Sequence, residues 1–328
     1  MINVAIVGMG GIGRKHIECY QNNRYTRLAA VCDMVPAKAQ AAASNFNVPS
    51  FNSIKQMLCS DIRIDAAGVT TAGEENGGDH YQPTMELLGA GIPVLGEKPI
   101  SNRIPQAKRM VALARKKKIP YGINLNHRFT PAATQAKQWI EKGRLGQLNM
   151  IHMTLWINNP NESSPHFHMR ALHPHSLDVI RYFCGDVKKV HAFFRKGKGR
   201  RIWSNVQVNL LFRNGIIGHL MGSYDAGSSY GLETCEIIGS KARLIIHDAA
   251  ESLEFYPRFS NQVEVYRHPG GMGGFTDTFQ SRIDAWVNDL RKKTPPNMIA
   301  AGAQDALKAQ LIIEAAIKSW ETQTVVSV

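Results

Sequence analysis

The residues Gly8-Met9-Gly10-Gly11-Ile12-Gly13 fit G-x-G-x-x-G directly after the apolar run Asn3-Val4-Ala5-Ile6-Val7. That spacing suits a diphosphate. Gly8 permits a tight turn, Gly10 lets backbone approach the anion, and Gly13 lets a helix pack closely on the strand. The backbone N–H groups from Gly10 through Gly11 and Ile12 to Gly13 open a helix whose dipole favours negative charge. Asp33 follows Gly13 by about twenty residues, at the end of a second apolar run. A carboxylate there accepts hydrogen bonds from the adenosine ribose and repels a 2′-phosphate, which favours NAD over NADP. Arg14 and Lys38 are nearby cations that soften this preference. The bland alternative is a glycine turn beside a surface aspartate. A second concentration of chemistry is His152, His166, His168, His173 and His175, with two His-x-His pairs. Imidazoles bind metals, but no Cys or paired carboxylate completes a ligand set, so no metal is expected.

These residues need elements to hold them. Residues 3–7, 28–32, 64–69, 93–95 and 121–123 read as strands. Residues 11–22, 37–45, 81–89 and 105–118 read as the intervening helices. Strict alternation of this kind predicts a doubly wound parallel sheet, an α/β Rossmann domain over residues 1–123. Beyond Asn124 the texture changes. A helix is expected over 131–142, an extended run over 147–157, an irregular polar loop over 158–168, and a helix over 175–183. Extended runs at 206–212, 216–224, 233–238, 242–246 and 262–266 follow, then helices at 275–290 and 303–318. This pattern predicts an α+β domain over residues 124–328, with a large, mainly antiparallel sheet and helices on one face.

The stretch Ala90-Gly91-Ile92-Pro93-Val94-Leu95-Gly96-Glu97-Lys98-Pro99 resembles the A-G-x-x-V-x-x-E-K-P segment of the Gfo/Idh/MocA oxidoreductases. The resemblance spans essentially the whole chain. It takes in the glycine motif, Asn126-His127-Arg128-Phe129, Gly143-Arg144-Leu145-Gly146 and His175-Ser176-Leu177-Asp178. It implies oxidation or reduction of a secondary alcohol on a sugar, inositol or related polyol. It also implies dinucleotide contacts from Gly8, Gly10, Gly11, Ile12, Gly13, Asp33, Thr70, Glu97 and Lys98. Lys98 and His175 become the catalytic candidates, with Glu97 positioning Lys98. A base must reach the hydroxyl proton as hydride departs, and an ammonium of depressed pKa can relay it. Imidazole exchanges protons near neutral pH. The bland alternatives are a solvated lysine in a turn and a histidine that caps its helix or packs locally.

Two departures stand out. Many members carry Asp four residues before the histidine, whereas this chain has Ala171. Either His173 or Arg170 fills that space, or Lys98 and His175 suffice. The family's T-P-x-x-x-H is replaced by the longer segment from Thr70 to His80. Arg128, Trp156, Arg170, His173 and His175 are the expected substrate contacts, lining a polar carbohydrate pocket with Asn158 and Asn159. Core packing of Trp156 is the equal alternative. A bound dinucleotide serving as internal redox relay for glycoside cleavage, and a non-catalytic dinucleotide sensor, are the competing readings.

Composition narrows the field. With 328 residues, 44% of them hydrophobic, the chain can bury a large core. It contains no run of eighteen apolar residues, and its first residues lack the pattern of a secretory leader. Five dispersed cysteines suit reduced thiols, and a cytoplasmic location is expected. The net charge of +13 is concentrated at residues 115–118, 195–201 and 291–293 and reads as solvated surface, with no nucleic-acid motif beside it. The resemblance implies a homodimer or homotetramer through an exposed sheet face, and no membrane partner.

Overall fold

The computed structural model describes residues 1–226, 232–247, 252–267 and 275–328. Contacts divide the chain into two compact units, Met1–Leu125 with Phe279–Leu307, and Asn126–Thr278 with Lys308–Val328.

In the first unit, strands β1 (Ile2–Val7), β2 (Thr26–Cys32), β3 (Ser50–Phe51), β4 (Ala66–Val69), β5 (Val94–Gly96) and β6 (Tyr121–Ile123) form one parallel sheet. Their order, β3-β2-β1-β4-β5-β6, is doubly wound, as the alternating pattern predicts. Helices α1 (Gly11–Asn22), α2 (Pro36–Phe46), α3 (Ile54–Leu58), α4 (Tyr81–Gly89) and α5 (Ile104–Lys117) connect them. Val4, Ala5 and Ile6 are fully buried, the signature of a strand covered on both faces. The short β3 and α3 carry no periodic signal and escape the sequence reading.

A single cut after residue 123 also misses the return of the chain. Phe279, Ile283, Trp286 and Val287, in helix α8 (Phe275–Lys292), pack with Val4, Ile6, Ile17 and Leu95. Arg282 Nε donates to the Ile123 carbonyl at 3.1 Å, and Ile123 N–H donates to the Ala301 carbonyl at 2.9 Å. An amphipathic pattern announces that a helix face is buried but not which sheet buries it.

In the second unit, helix α6 (Pro131–Glu141) precedes strand β7 (Leu148–Trp156) and helix α7 (Phe167–Cys184). Strands β8 (Val187–Arg195), β9 (Asn205–Phe212), β10 (Ile217–Ser223), β11 (Leu232–Gly239), β12 (Ala242–His247), β13 (Ser252–Pro257) and β14 (Glu264–Arg267) follow. Helix α9 (Ala303–Thr322) and strand β15 (Val326–Ser327) end the chain. The sheet order is β14-β13-β12-β11-β7-β10-β9-β8-β15, and among the described residues only β7 and β10 pair in parallel. The mainly antiparallel expectation holds.

Burial alternates along β9, and Val206, Val208, Leu210 and Phe212 join the core with Ile180, Phe183, Ile312 and Ile313 of the helices. The opposite face leaves Met150, Phe193, Leu211 and Ile217 exposed. Trp156 shares that outward parity, where it lines a cleft of about 520 Å³ with Asn205, Gln207 and Met221.

Helix α7 begins two turns earlier than its expected start at His175 and holds Pro174 in its interior. Every residue from Leu172 to Arg181 is buried. A helix buried all round shows no polar stripe, so its first turns read as irregular chain.

Candidate active site

The end of β1 turns sharply at Gly8, whose φ of +102° belongs to glycine. A Cβ there would sit 2.5 Å from the Thr71 nitrogen, and one at Gly13 would sit 2.0 Å from the Gly8 carbonyl oxygen. At Gly10 and Gly11 a Cβ would meet nothing within 4 Å. No side chain caps the start of α1. Close packing at the outer glycines, open Cα faces between them and uncapped helix N–H groups fit a dinucleotide diphosphate.

Asp33 and Thr70 are built into the same turn. Asp33 Oδ2 accepts from the Met9 N–H at 2.7 Å and Oδ1 from the Val35 N–H at 2.9 Å. Thr70 Oγ1 donates to the Gly8 carbonyl at 2.8 Å. Thr70 therefore braces the turn from below, and Asp33 holds its rim while keeping lone pairs for ribose hydroxyls. Two glycine variants should separate packing from binding. Gly13→Ala is expected to lower stability by about 1–3 kcal/mol through overpacking and to weaken NADH binding. Gly11→Ala, which meets open space, is expected to weaken NADH binding at least tenfold with little change in melting temperature. Calorimetric titration and thermal melts read both, and tight NADH binding by both variants would refute this diphosphate seat.

Three residues beyond β5 carry the remaining chemistry of this unit. The Lys98–Pro99 bond is cis, and Lys98 is half-buried. Glu97 is buried and receives three donors. His16 Nε2 lies 2.8 Å and Asn124 Nδ2 2.6 Å from its Oε1, and the Lys98 N–H lies 3.2 Å from its Oε2. Burial pushes the Glu97 carboxyl up, but the donors together with the fields of His16 and Lys98 bring it below its ordinary value. Burial pulls the Lys98 ammonium down, and Glu97 opposes this only in part. The side chain that the sequence names as an acid–base candidate is thus a cation destabilised by its surroundings. His80 bridges the carbonyls of Pro99 and Thr71 at 2.7 and 2.9 Å and braces the loop.

The second unit gathers a separate constellation on α7. His175 stacks on His127, with ring centroids 4.1 Å apart and planes at 18°. His127 Nδ1 is 2.6 Å from Glu233 Oε2. One turn beyond His175, Asp178 pairs with Arg128, whose Nε donates to Oδ2 at 2.6 Å and whose Nη2 donates to Oδ1. The Arg128 guanidinium also lies over the Tyr182 ring. His175 is therefore packed within a helix interior rather than placed at a helix start.

The substitutes expected for the missing aspartate are engaged elsewhere. Arg170 is held by both carboxylate oxygens of Glu314, each bond 2.9 Å, so its fork is already filled. His173 is fully buried, with Nε2 3.1 Å from His168 Nε2 and Nδ1 3.1 Å from Ser176 Oγ. His168 is equally buried against Tyr224. These two rings form a structural pair, not a pocket lining. His152 stands on the outward sheet face beside His219, and His166 lies near Glu321. Trp156, on that outward face, does not join the His175 constellation. Among the described residues no group of three or more His, Cys, Asp or Glu is placed to hold a metal.

The glycine turn, the residues that brace it and the two-unit architecture can now be set beside known proteins. Residues 2–125 match an oxidoreductase family with an NAD-binding Rossmann fold, and residues 133–245 match the GFO/IDH/MocA C-terminal domain. The chain belongs to the Gfo/Idh/MocA family. Its first unit is accordingly an NAD-binding Rossmann domain. Among members of the family, it is 24% identical to inositol 2-dehydrogenase 2 of Saccharopolyspora erythraea, covering 98% of this chain and 94% of that protein. It is also 24% identical to the rhizopine catabolism protein MocA of Rhizobium meliloti, covering 95% and 93%. A levoglucosan dehydrogenase solved with NADH and levoglucosan superposes with a TM-score of 0.88 over 100% of this chain and 99% of that one, at 19% identity. That likeness speaks to the fold.

Sequence reading did not single out His16, Asn124, His127 or Glu233. A histidine three residues after the last motif glycine, on the apolar face of α1, is the one local signal that points to His16. Glu233 has none, because only strand register brings β11 to His127.

Proposed function

We propose that the chain is an NAD-dependent dehydrogenase that moves hydride between nicotinamide and a secondary alcohol of a sugar, inositol or sugar derivative. Bound nicotinamide supplies the hydride acceptor. Lys98 polarises the alcohol or receives its proton, and His175 is the second acid–base group. The relatives' names support a polyol substrate. The observation that carries the reading is Lys98, half-buried beyond the end of β5 in the unit that holds the glycine turn, with a cation destabilised by burial. Asp33, seated on the Met9 N–H at the rim of the turn, supports NAD over NADP.

Among the described residues, no helix is long and apolar enough to cross a membrane. A cytoplasmic location and a homo-oligomer formed through the outward sheet face, with exposed Met150, Phe193, Leu211 and Ile217, complete the proposal.

Purified protein, mixed with NAD⁺ or NADP⁺ and a panel of inositols, sugars and anhydrosugars, tests it by the absorbance of reduced nicotinamide and the mass of the product. At least one polyol is expected to yield its ketone, with kcat/KM at least tenfold higher for NAD⁺. Asp33→Ser should narrow that ratio. Absence of any dinucleotide-dependent oxidation across the panel would overturn the proposal.

A further inference from the structure

We propose that His16, on the helix that opens at the glycine turn, is a positioning residue for Lys98 and acts through Glu97. A carboxylate out of water survives as an anion only if donors replace its solvation. Glu97 is 7% exposed, and it has such donors: His16 Nε2 and Asn124 Nδ2 on one oxygen, and the Lys98 N–H on the other. Of these, His16 is fully buried and arrives from α1, remote in sequence from β5. A carboxylate is acceptor-only, so the Nε2 that faces Glu97 carries the proton. The anion so held is in turn the charge that opposes the burial of the Lys98 ammonium.

The chain of cause therefore runs from α1 to the lysine. Without His16, Glu97 loses a donor and a favourable field inside a buried site and takes up a proton. Neutral Glu97 no longer supports the neighbouring ammonium, so the Lys98 amine loses its proton at lower pH. Asn124 holds the same Glu97 oxygen from β6's end, which makes it the backup donor rather than the control point. His80 faces the next peptide through the Pro99 carbonyl, and Glu75 accepts from Asn102 Nδ2 just beyond the turn. One consequence is mechanical. The helix that receives the diphosphate is tied by a buried hydrogen bond to Glu97, the residue next to the lysine expected to serve the alcohol.

The inference deepens the proposed role of Lys98 but can be tested without turnover. Competitive acetylation with trace acetic anhydride across pH, read by mass spectrometry of the Lys98 peptide against exposed Lys116, gives the titration midpoint of the amine in the full chain. In His16→Leu and in Glu97→Gln the Lys98 midpoint is expected to fall by about one pH unit, the scale of losing an adjacent opposite charge. His16→Gln keeps an N–H donor and should shift less, and it serves if the leucine variant does not fold. The double variant His16→Leu/Glu97→Gln should match Glu97→Gln alone. A Lys98 midpoint unchanged in both His16 variants would overturn the inference, as would a double variant shifted well beyond Glu97→Gln. A protein inactive on every polyol would sink the proposed reaction yet leave this measurement intact.

Discussion

Lys98→Ala is expected to lower kcat/KM for polyol oxidation by about 10²–10⁴-fold, the range set by removing a positioned acid–base group, while NADH still binds. Hydride departs only as the hydroxyl proton is taken, so the loss should fall on kcat rather than on dinucleotide affinity. Lys98→Arg sharpens the test. An arginine keeps positive charge and cannot give up its proton at working pH. If Lys98 relays the proton, the arginine variant should be nearly as poor as alanine; if charge alone polarises the alcohol, it should retain much of the rate. The pH profile has a defined sign. Burial places the amine below its ordinary value, so oxidation should rise with pH through that lowered midpoint, and the limb should vanish in Lys98→Ala. Full activity in the alanine variant would remove Lys98 from the chemistry.

The second large effect concerns stability. Burial brings the His168 ring down to about 3, and burial with the field of His168 holds His173 well below its ordinary value. Both are neutral in the fold and titrate near 6.5 once unfolded. Their contribution is complete above that value and is lost as pH falls below it, because the unfolded chain then binds protons that the fold refuses. Each ring should cost at most about 1.4 kcal/mol per pH unit, a slope reached once the unfolded ring is mostly protonated. Between pH 6.5 and 5 the pair should therefore remove roughly 3 kcal/mol, a large share of ordinary domain stability. Urea unfolding at a series of pH values reads the slope, and His168→Phe/His173→Leu should flatten it. A slope identical in the two proteins would show that other groups govern the acid limb. The same geometry explains why His173 does not line a pocket. Its Nε2 is spent on His168 within van der Waals reach of Gly222, where a Cβ would come within 2.1 Å of the ring.

Those two rings mark where local sequence stops informing. The cluster of five histidines announces chemistry, yet the fold distributes its members among a buried pair, a stacked constellation, the outward sheet face and a hydrogen bond with Glu321. Side-chain direction depends on α7 starting at Phe167, and burial on all sides hides that start. Arg170 is similar. Its planar fork suits an oxygen-rich ligand in principle, and only the packing of α9 shows that Glu314 fills it.

By itself the sequence determined the NAD-binding turn, the doubly wound order around it, the antiparallel character of the second sheet and the family. These rest on contacts between near neighbours: glycines spaced for one turn, apolar runs of strand length, and a lysine and proline at a strand end. Tertiary structure alone decided that residues 279–307 complete the first unit, that Glu97 is held by His16 and Asn124, and that His175 lies on His127 beside Glu233. Those partners are tens of residues apart. What joins them is sheet register and the need to satisfy buried polar atoms, which follow from how whole elements pack rather than from any short run of residues.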